Sequence, residues 1–175
     1  MAAPTDMIEV ASGMNSKAVA ISLALAIFGG PAGAACAPSP DRKPADQYVI
    51  TGGTVYDKKS DLTWARCSVG QQWQEGAGCV GTIETLTWSQ ALKQGEGGWR
   101  VPTVKELETL VARTCSKPAI DESVFQGIAP DKLAYWSGTE VGSYGGAWAV
   151  SFLVGTTGYD EHAIRLPVRL VRSGK

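Results

Sequence analysis

The chain has 175 residues, of which 44% are hydrophobic and 19% charged, and its formal net charge is −1. These values suit a globular domain with a real core and exclude a disordered or fibrous chain. The near-zero charge lacks the electrostatic footprint of a nucleic-acid binder. With 21 glycines and 6 tryptophans, the composition suits short strands, tight turns and large aromatic anchors.

The N-terminal region reads as an export signal. Lys17 leads into the uncharged run Ala18 to Phe28, followed by Gly29-Gly30-Pro31 and the small residues Ala32-Gly33-Ala34-Ala35. That is the order of a secretory signal peptide, with cleavage expected after Ala34. The apolar run is too short for a membrane span, which needs about 20 residues. Residues 1–13 carry Asp6 and Glu9 and no basic residue, so translation is expected to begin at Met14. Removing residues 1–34 leaves equal numbers of basic and acidic residues. The expected organisation is a signal peptide over 1–34, an extended lead-in over 35–47 and a domain over 48–173.

All four cysteines, Cys36, Cys67, Cys79 and Cys115, follow the expected cleavage point. An even number in an exported chain reads as a disulfide framework with three formal connectivities. Cys67 and Cys79 bracket a short polar loop, which favours Cys67–Cys79 and leaves Cys36–Cys115. Lipidation of Cys36 is the rival, since Ala34-Ala35-Cys36 resembles the end of a lipobox. Gly33, however, stands where that signal has a bulky aliphatic residue.

Within the domain, Tyr48-Val49-Ile50, the turn Thr51-Gly52-Gly53 and Thr54-Val55-Tyr56 form a hairpin signal. A turn over Asp57 to Asp61 precedes the strand Leu62-Thr63-Trp64. Residues 68–84 read as a polar, glycine-rich loop. Thr87 is placed to cap a helix from Trp88 to Gln94. Thr103-Val104-Lys105-Glu106 has the form of a capping box. Val104, Leu107, Leu110 and Val111 then make one apolar face of a helix running to about Arg113. Ala134 to Ser137 reads as a strand ended by Gly138, and Trp148 to Leu153 as a second. Ile164 to Val171 reads as a third, with Ile164, Leu166, Val168 and Leu170 on one face and Arg165 and Arg169 on the polar other. The order of elements predicts an α+β domain with two helices and a mainly antiparallel sheet, stapled by disulfides.

The motifs Trp64-Ala65-Arg66-Cys67, Thr87-Trp88, Trp99-Arg100-Val101-Pro102-Thr103 with Glu106-Leu107, Tyr135-Trp136-Ser137 and Val168-Arg169-Leu170-Val171-Arg172 stand in that order. Together they resemble the Lcl C-terminal domain family of bacterial exported domains, from about Val49 to Arg172. The resemblance implies a fold similar to C-type-lectin-like domains and, more distantly, to formylglycine-generating enzymes. The family's namesake, a collagen-like surface protein, uses the domain to adhere to sulfated glycosaminoglycans. This chain has no collagen-like repeat. It also departs from the family at Thr51-Gly52-Gly53-Thr54, at Ser60 to Trp64 and at Val101.

No catalytic constellation is expected, and no cofactor or metal. There is no C-x-x-C pair, and the single histidine, His162, reads as a solvated loop residue. Glu106 is better explained as a cap than as an acid–base group. Trp64, Trp88, Trp99, Trp136 and Trp148 are core candidates. Trp73, Tyr144 and Tyr159 lie in polar or glycine-rich loops and are candidates for stacking on sugar rings. Arg165 and Arg169, with Arg172 nearby, are candidates for gripping sulfate or carboxylate. The expected function is a non-enzymatic binding module at the surface, in the periplasm or secreted, for acidic glycans such as glycosaminoglycans. The alternative is a structural or protein-interaction domain of an envelope assembly without a glycan ligand. Neither nucleic acid nor a transmembrane span is expected.

Overall fold

The structure, a computed structural model, describes residues 46–115, 117–129, 134–142 and 145–175. All of them fall within the unit Ala32–Lys175. The expected signal peptide and Cys36 lie outside the described residues.

In chain order the elements are β1 (Tyr48–Thr51), β2 (Thr54–Asp57), β3 (Leu62–Ala65), β4 (Gln71–Gln74), β5 (Gly78–Gly81), α1 (Trp88–Ala91), α2 (Val104–Glu108), β6 (Tyr135–Val141), β7 (Gly146–Ser151), β8 (Thr156–Glu161) and β9 (Val171–Ser173). They form a four-stranded sheet in the order β1-β2-β3-β9, a two-stranded sheet β4-β5 and a three-stranded sheet β6-β7-β8. Every pairing is antiparallel. The α+β class with two helices therefore holds.

Both helices start where hydroxyl residues cap them. Thr87 and Thr103 each accept from the backbone of the third helical residue, and Gln90 and Glu106 reach back to the cap. Glu106 does more than cap, since its carboxylate also takes two hydrogen bonds of 2.7 Å from Arg100. The second helix ends at Glu108 rather than near Arg113. The Thr109 hydroxyl bonds the Glu106 carbonyl at 2.6 Å, and the next amides close short three-residue turns. The apolar face survives, because Leu107 and Leu110 are both buried.

This cap supports a prediction. Thr103→Ala should cost about 1 kcal/mol, or a fall in Tm of roughly 2–4 °C, read by thermal melting. The paired bond from Arg100, followed by the Thr103 backbone amide, holds the Glu106 carboxyl below the usual carboxylate range despite partial burial. Its contribution is complete above the unfolded glutamate pKa, about 4.3. It is lost as pH falls through the lower native value. Glu106→Gln should therefore remove part of the acid-induced loss of stability; an unchanged acid limb would refute this role.

The three-stranded sheet is packed on both faces. Tyr135 and Val150 join a core with Val55, Trp64, Leu107, Ile120 and Phe125. Trp136, Ala147 and Ala149 join a second core with Leu86, Ala91, Val101, Leu166 and Val168.

Four expectations along the chain need correction. Residues 68–84 contain the hairpin β4-β5, whose polar faces give no hydrophobic alternation to read. The strand begun by Tyr135 passes through Gly138 to Val141, with a register shift between Trp136 and Glu140. Tyr159, expected in a glycine-rich loop, lies in the strand Thr156–Glu161, which has a mostly exposed surface.

The largest correction concerns residues 164–171. Only Val171–Ser173 is a strand. Pro167 cannot donate to a ladder, and the carbonyls of Leu166, Pro167, Val168 and Leu170 accept from Leu86, Trp136, Val69 and Ala65 respectively. The segment threads between elements, and residues 166–169 are buried on both sides. The polar face expected for Arg165 and Arg169 does not exist.

Candidate functional site

Arg169 is 0% exposed. Its guanidinium donates to the carbonyls of Ala65 (2.8 Å), Arg66 and Gln126 (2.7 Å) and reaches Ser68 Oγ at 3.4 Å. Ser68 and Tyr135 share a hydrogen bond of 3.0 Å, and the Tyr135 hydroxyl accepts from the Ala129 amide. Burial pushes the Arg169 pKa down. Arg169 is thus a structural clamp joining residues 65–68 to 126–129, and it leaves the list of ligand-facing residues.

Arg66 is a second clamp. It donates to the carbonyls of Val124, Gly52 and Ser123 at 2.9–3.3 Å. Its guanidinium also lies 4.1 Å over the Trp73 ring. A Cβ at Gly53 would stand 2.6 Å from the Trp73 Cβ, so the β1-β2 turn needs glycine for Trp73 to lie against it. Trp73, half-buried, is mainly a packing wedge beside a groove of about 200 Å³ shared with Ala65, Cys67, Ser68 and Leu170.

The hairpin carrying Trp73 is stapled by Cys67–Cys79, as expected, with Cα atoms 5.4 Å apart. Cys115 is also disulfide-bonded. The Cys36–Cys115 pairing involves Cys36, which lies outside the described residues.

Of the remaining arginines, Arg165 is exposed and donates to Gln90 Oε1 at 3.2 Å. Arg172 lies 5.1 Å over the Trp99 ring, and Arg100 is held by Glu106. The arginines expected to form one basic strand face are thus dispersed.

The aromatic expectation fares better at β8. Tyr159 is 65% exposed. Tyr144 lies outside the described residues. In the register, Trp148 faces Tyr159 and Val150 faces Thr157, so these four side chains share one sheet face. The rings of Trp148 and Tyr159 meet edge to face, with centroids 6.2 Å apart. On the same face, Glu108 Oε1 accepts from the Thr157 hydroxyl at 2.8 Å, and Glu108 Oε2 accepts from Lys105 Nζ at 3.1 Å. These bonds, that from Thr157 first, hold the Glu108 carboxyl below its usual range.

Along β8 runs a trough of about 290 Å³, lined by Thr157 and Tyr159 as well as by Ala134, Ala149, Ser151, Thr156, Gly158 and Asp160. Small residues make its floor, and nothing lies within 4 Å of where a Gly158 Cβ would stand. Among the described residues β8 pairs only with β7, and no strand borders its outer edge. The candidate site is therefore a polar-rimmed aromatic surface on an edge strand. Sequence reading singled out Tyr159 but assigned Trp148 to the core and did not use Thr157, Glu108 or Lys105. No local pattern links a helix residue to a strand 49 positions later.

His162 is not a free loop residue. Its imidazole stacks on Trp88, with centroids 4.2 Å apart and planes 9° from parallel. Its Nε2 lies 3.9 Å from Glu140 Oε1.

The family model described as the Lcl C-terminal domain matches residues 53–172. No curated protein matches the chain.

Proposed function

The chain belongs to the Lcl C-terminal domain family, and from that premise we propose that it is an exported, non-catalytic binding module whose ligands are glycans. The observation that carries this reading is the surface around Tyr159. A ring left 65% in water beside hydroxyl and carboxylate groups suits a ligand that is apolar on its faces and polar at its rim. The C-type-lectin-like description of the fold is part of the same reading. It is supported by the two short helices packed with small antiparallel sheets.

A non-enzymatic role draws support from how the titratable groups are used. Glu106 caps a helix and pairs with Arg100, while His162 is stacked on Trp88. Export draws support from the N-terminal signal pattern and from the closed Cys67–Cys79 bond, which belongs in an oxidising compartment. Among the described residues, no helix is long and apolar enough to cross a membrane.

An acidic glycan is the ligand class implied by the family resemblance, and Arg165 is an exposed arginine placed to meet one. Heparin chromatography tests this part. The full chain should be retained only weakly and should elute below about physiological salt, where exposed charges are screened within about 8 Å. Arg165→Ala should elute earlier. Flow-through of the wild type at low salt, or identical elution of both proteins, removes the acidic preference. The protein-interaction alternative is favoured by one observation: among the described residues no strand pairs with the outer edge of β8, the kind of edge to which another chain can add. A glycan array separates the two: saturable binding to a glycan supports the first, and binding to none supports the second.

A further inference from the structure

We infer that the β8 face carrying Tyr159 is a subsite for an uncharged pyranose ring, with Glu108 and Thr157 as its polar partners. This rests on the glycan-binding reading above and names the class of sugar. The C–H face of a pyranose packs on an aromatic ring and removes apolar area from water. Tyr159 leaves most of its surface available for that contact, and Trp148 braces it from the sheet.

Thr157 lies two residues away on the same side of the strand, roughly 7 Å along it. Its hydroxyl is bonded to Glu108, which is also held by Lys105. Each carboxylate oxygen retains acceptor capacity, which matches the paired O–H donors on neighbouring carbons of a sugar ring. Hydrogen-bond polarity decides the class. Lys105 balances the charge of Glu108 and Arg113 lies in its field, but the group bonded to Thr157 is a carboxylate acceptor, which takes sugar hydroxyl donors and offers nothing to sulfate or carboxylate. Ser151 and Thr156 extend the hydroxyl-bearing surface along the trough that Thr157 and Tyr159 also line.

The test is amide NMR titration of the isotope-labelled full chain with four probes: cellohexaose, chitohexaose, mannohexaose and a heparin hexasaccharide. At least one of the three neutral probes should shift the Trp148 indole and the β8 amides. Tyr159→Ala should weaken that binding about tenfold or more, a loss measurable in Kd. Glu108→Gln keeps the side-chain shape and an acceptor for Thr157, and it should weaken binding as well. Neutral probes that leave β8 unmoved, or a Tyr159→Ala variant that binds as wild type, overturn the subsite. Heparin binding centred on Arg165 with β8 silent overturns it while leaving the glycan reading intact. Silence toward all four probes counts against both.

Discussion

Arg169→Ala is expected to lower stability by about 3–5 kcal/mol, the scale for breaking a buried charged network. For a domain of this size that is a fall in Tm of roughly 6–20 °C. The guanidinium supplies the donors for the carbonyls of Ala65, Arg66 and Gln126. Those carbonyls cannot regain water after truncation, and each unsatisfied buried group costs about 1–3 kcal/mol. The vacated space adds a cavity beside Phe125, whose ring lies 5.8 Å from the guanidinium carbon. Arg169→Lys should recover little, because a compact ammonium cannot reach the same fork of acceptors. Arg165→Ala is the control and should fall within about 0.5 kcal/mol of wild type. Denaturant melts of the three variants decide the matter. An Arg169→Ala protein as stable as the control would refute the clamp.

The second large effect is expected from the Cys67→Ala/Cys79→Ala double variant. The bond spans a sequence separation of 12, and loop-closure entropy over that distance gives about 3 kcal/mol. A double substitution is cleaner than chemical reduction, since Cys115 is also disulfide-bonded and would open too. The loss should be local first. An isolated two-stranded hairpin is marginal in water, and among the described residues β4-β5 pairs with no other strand. Gly127, at φ +63°, brings its backbone close to the hairpin, and a Cβ there would sit 3.1 Å from the Cys79 Cβ. Hydrogen exchange of the amides over 71–81 should accelerate before the rest of the domain opens. Unchanged exchange and an unchanged Tm would show that packing alone holds the hairpin.

Local chemistry was legible in the sequence wherever one or two neighbouring residues decide the outcome. The Thr87 and Thr103 caps, the β1-β2 hairpin and the Cys67–Cys79 staple are of that kind. Alternation misled at Ile164 to Val171, because it records which residues are apolar and not whether the other side is also enclosed. Arg169 looked solvated for that reason, and among the described residues it is held by backbone oxygens and not by an acidic partner that would reveal its burial. β8 failed in the opposite sense. An edge strand with exposed faces needs no apolar pattern, and Thr-Thr-Gly-Tyr-Asp-Glu shows none. The site inherited both difficulties: Tyr159 was visible as an aromatic among glycines, while Glu108 reaches it only through the tertiary fold.

The long sequence separation between Arg169 or β9 and their partners also sets the order of events during synthesis. β9 completes the first sheet by pairing with β3, and Arg169 closes on residues 65–68 about a hundred positions earlier. Contacts so distant along the chain are slow to form. Neither fastening can close until Arg169 and β9 have been added to the chain. A polypeptide released short of them leaves β3 with an open edge and the carbonyls of Ala65 and Arg66 without their donor.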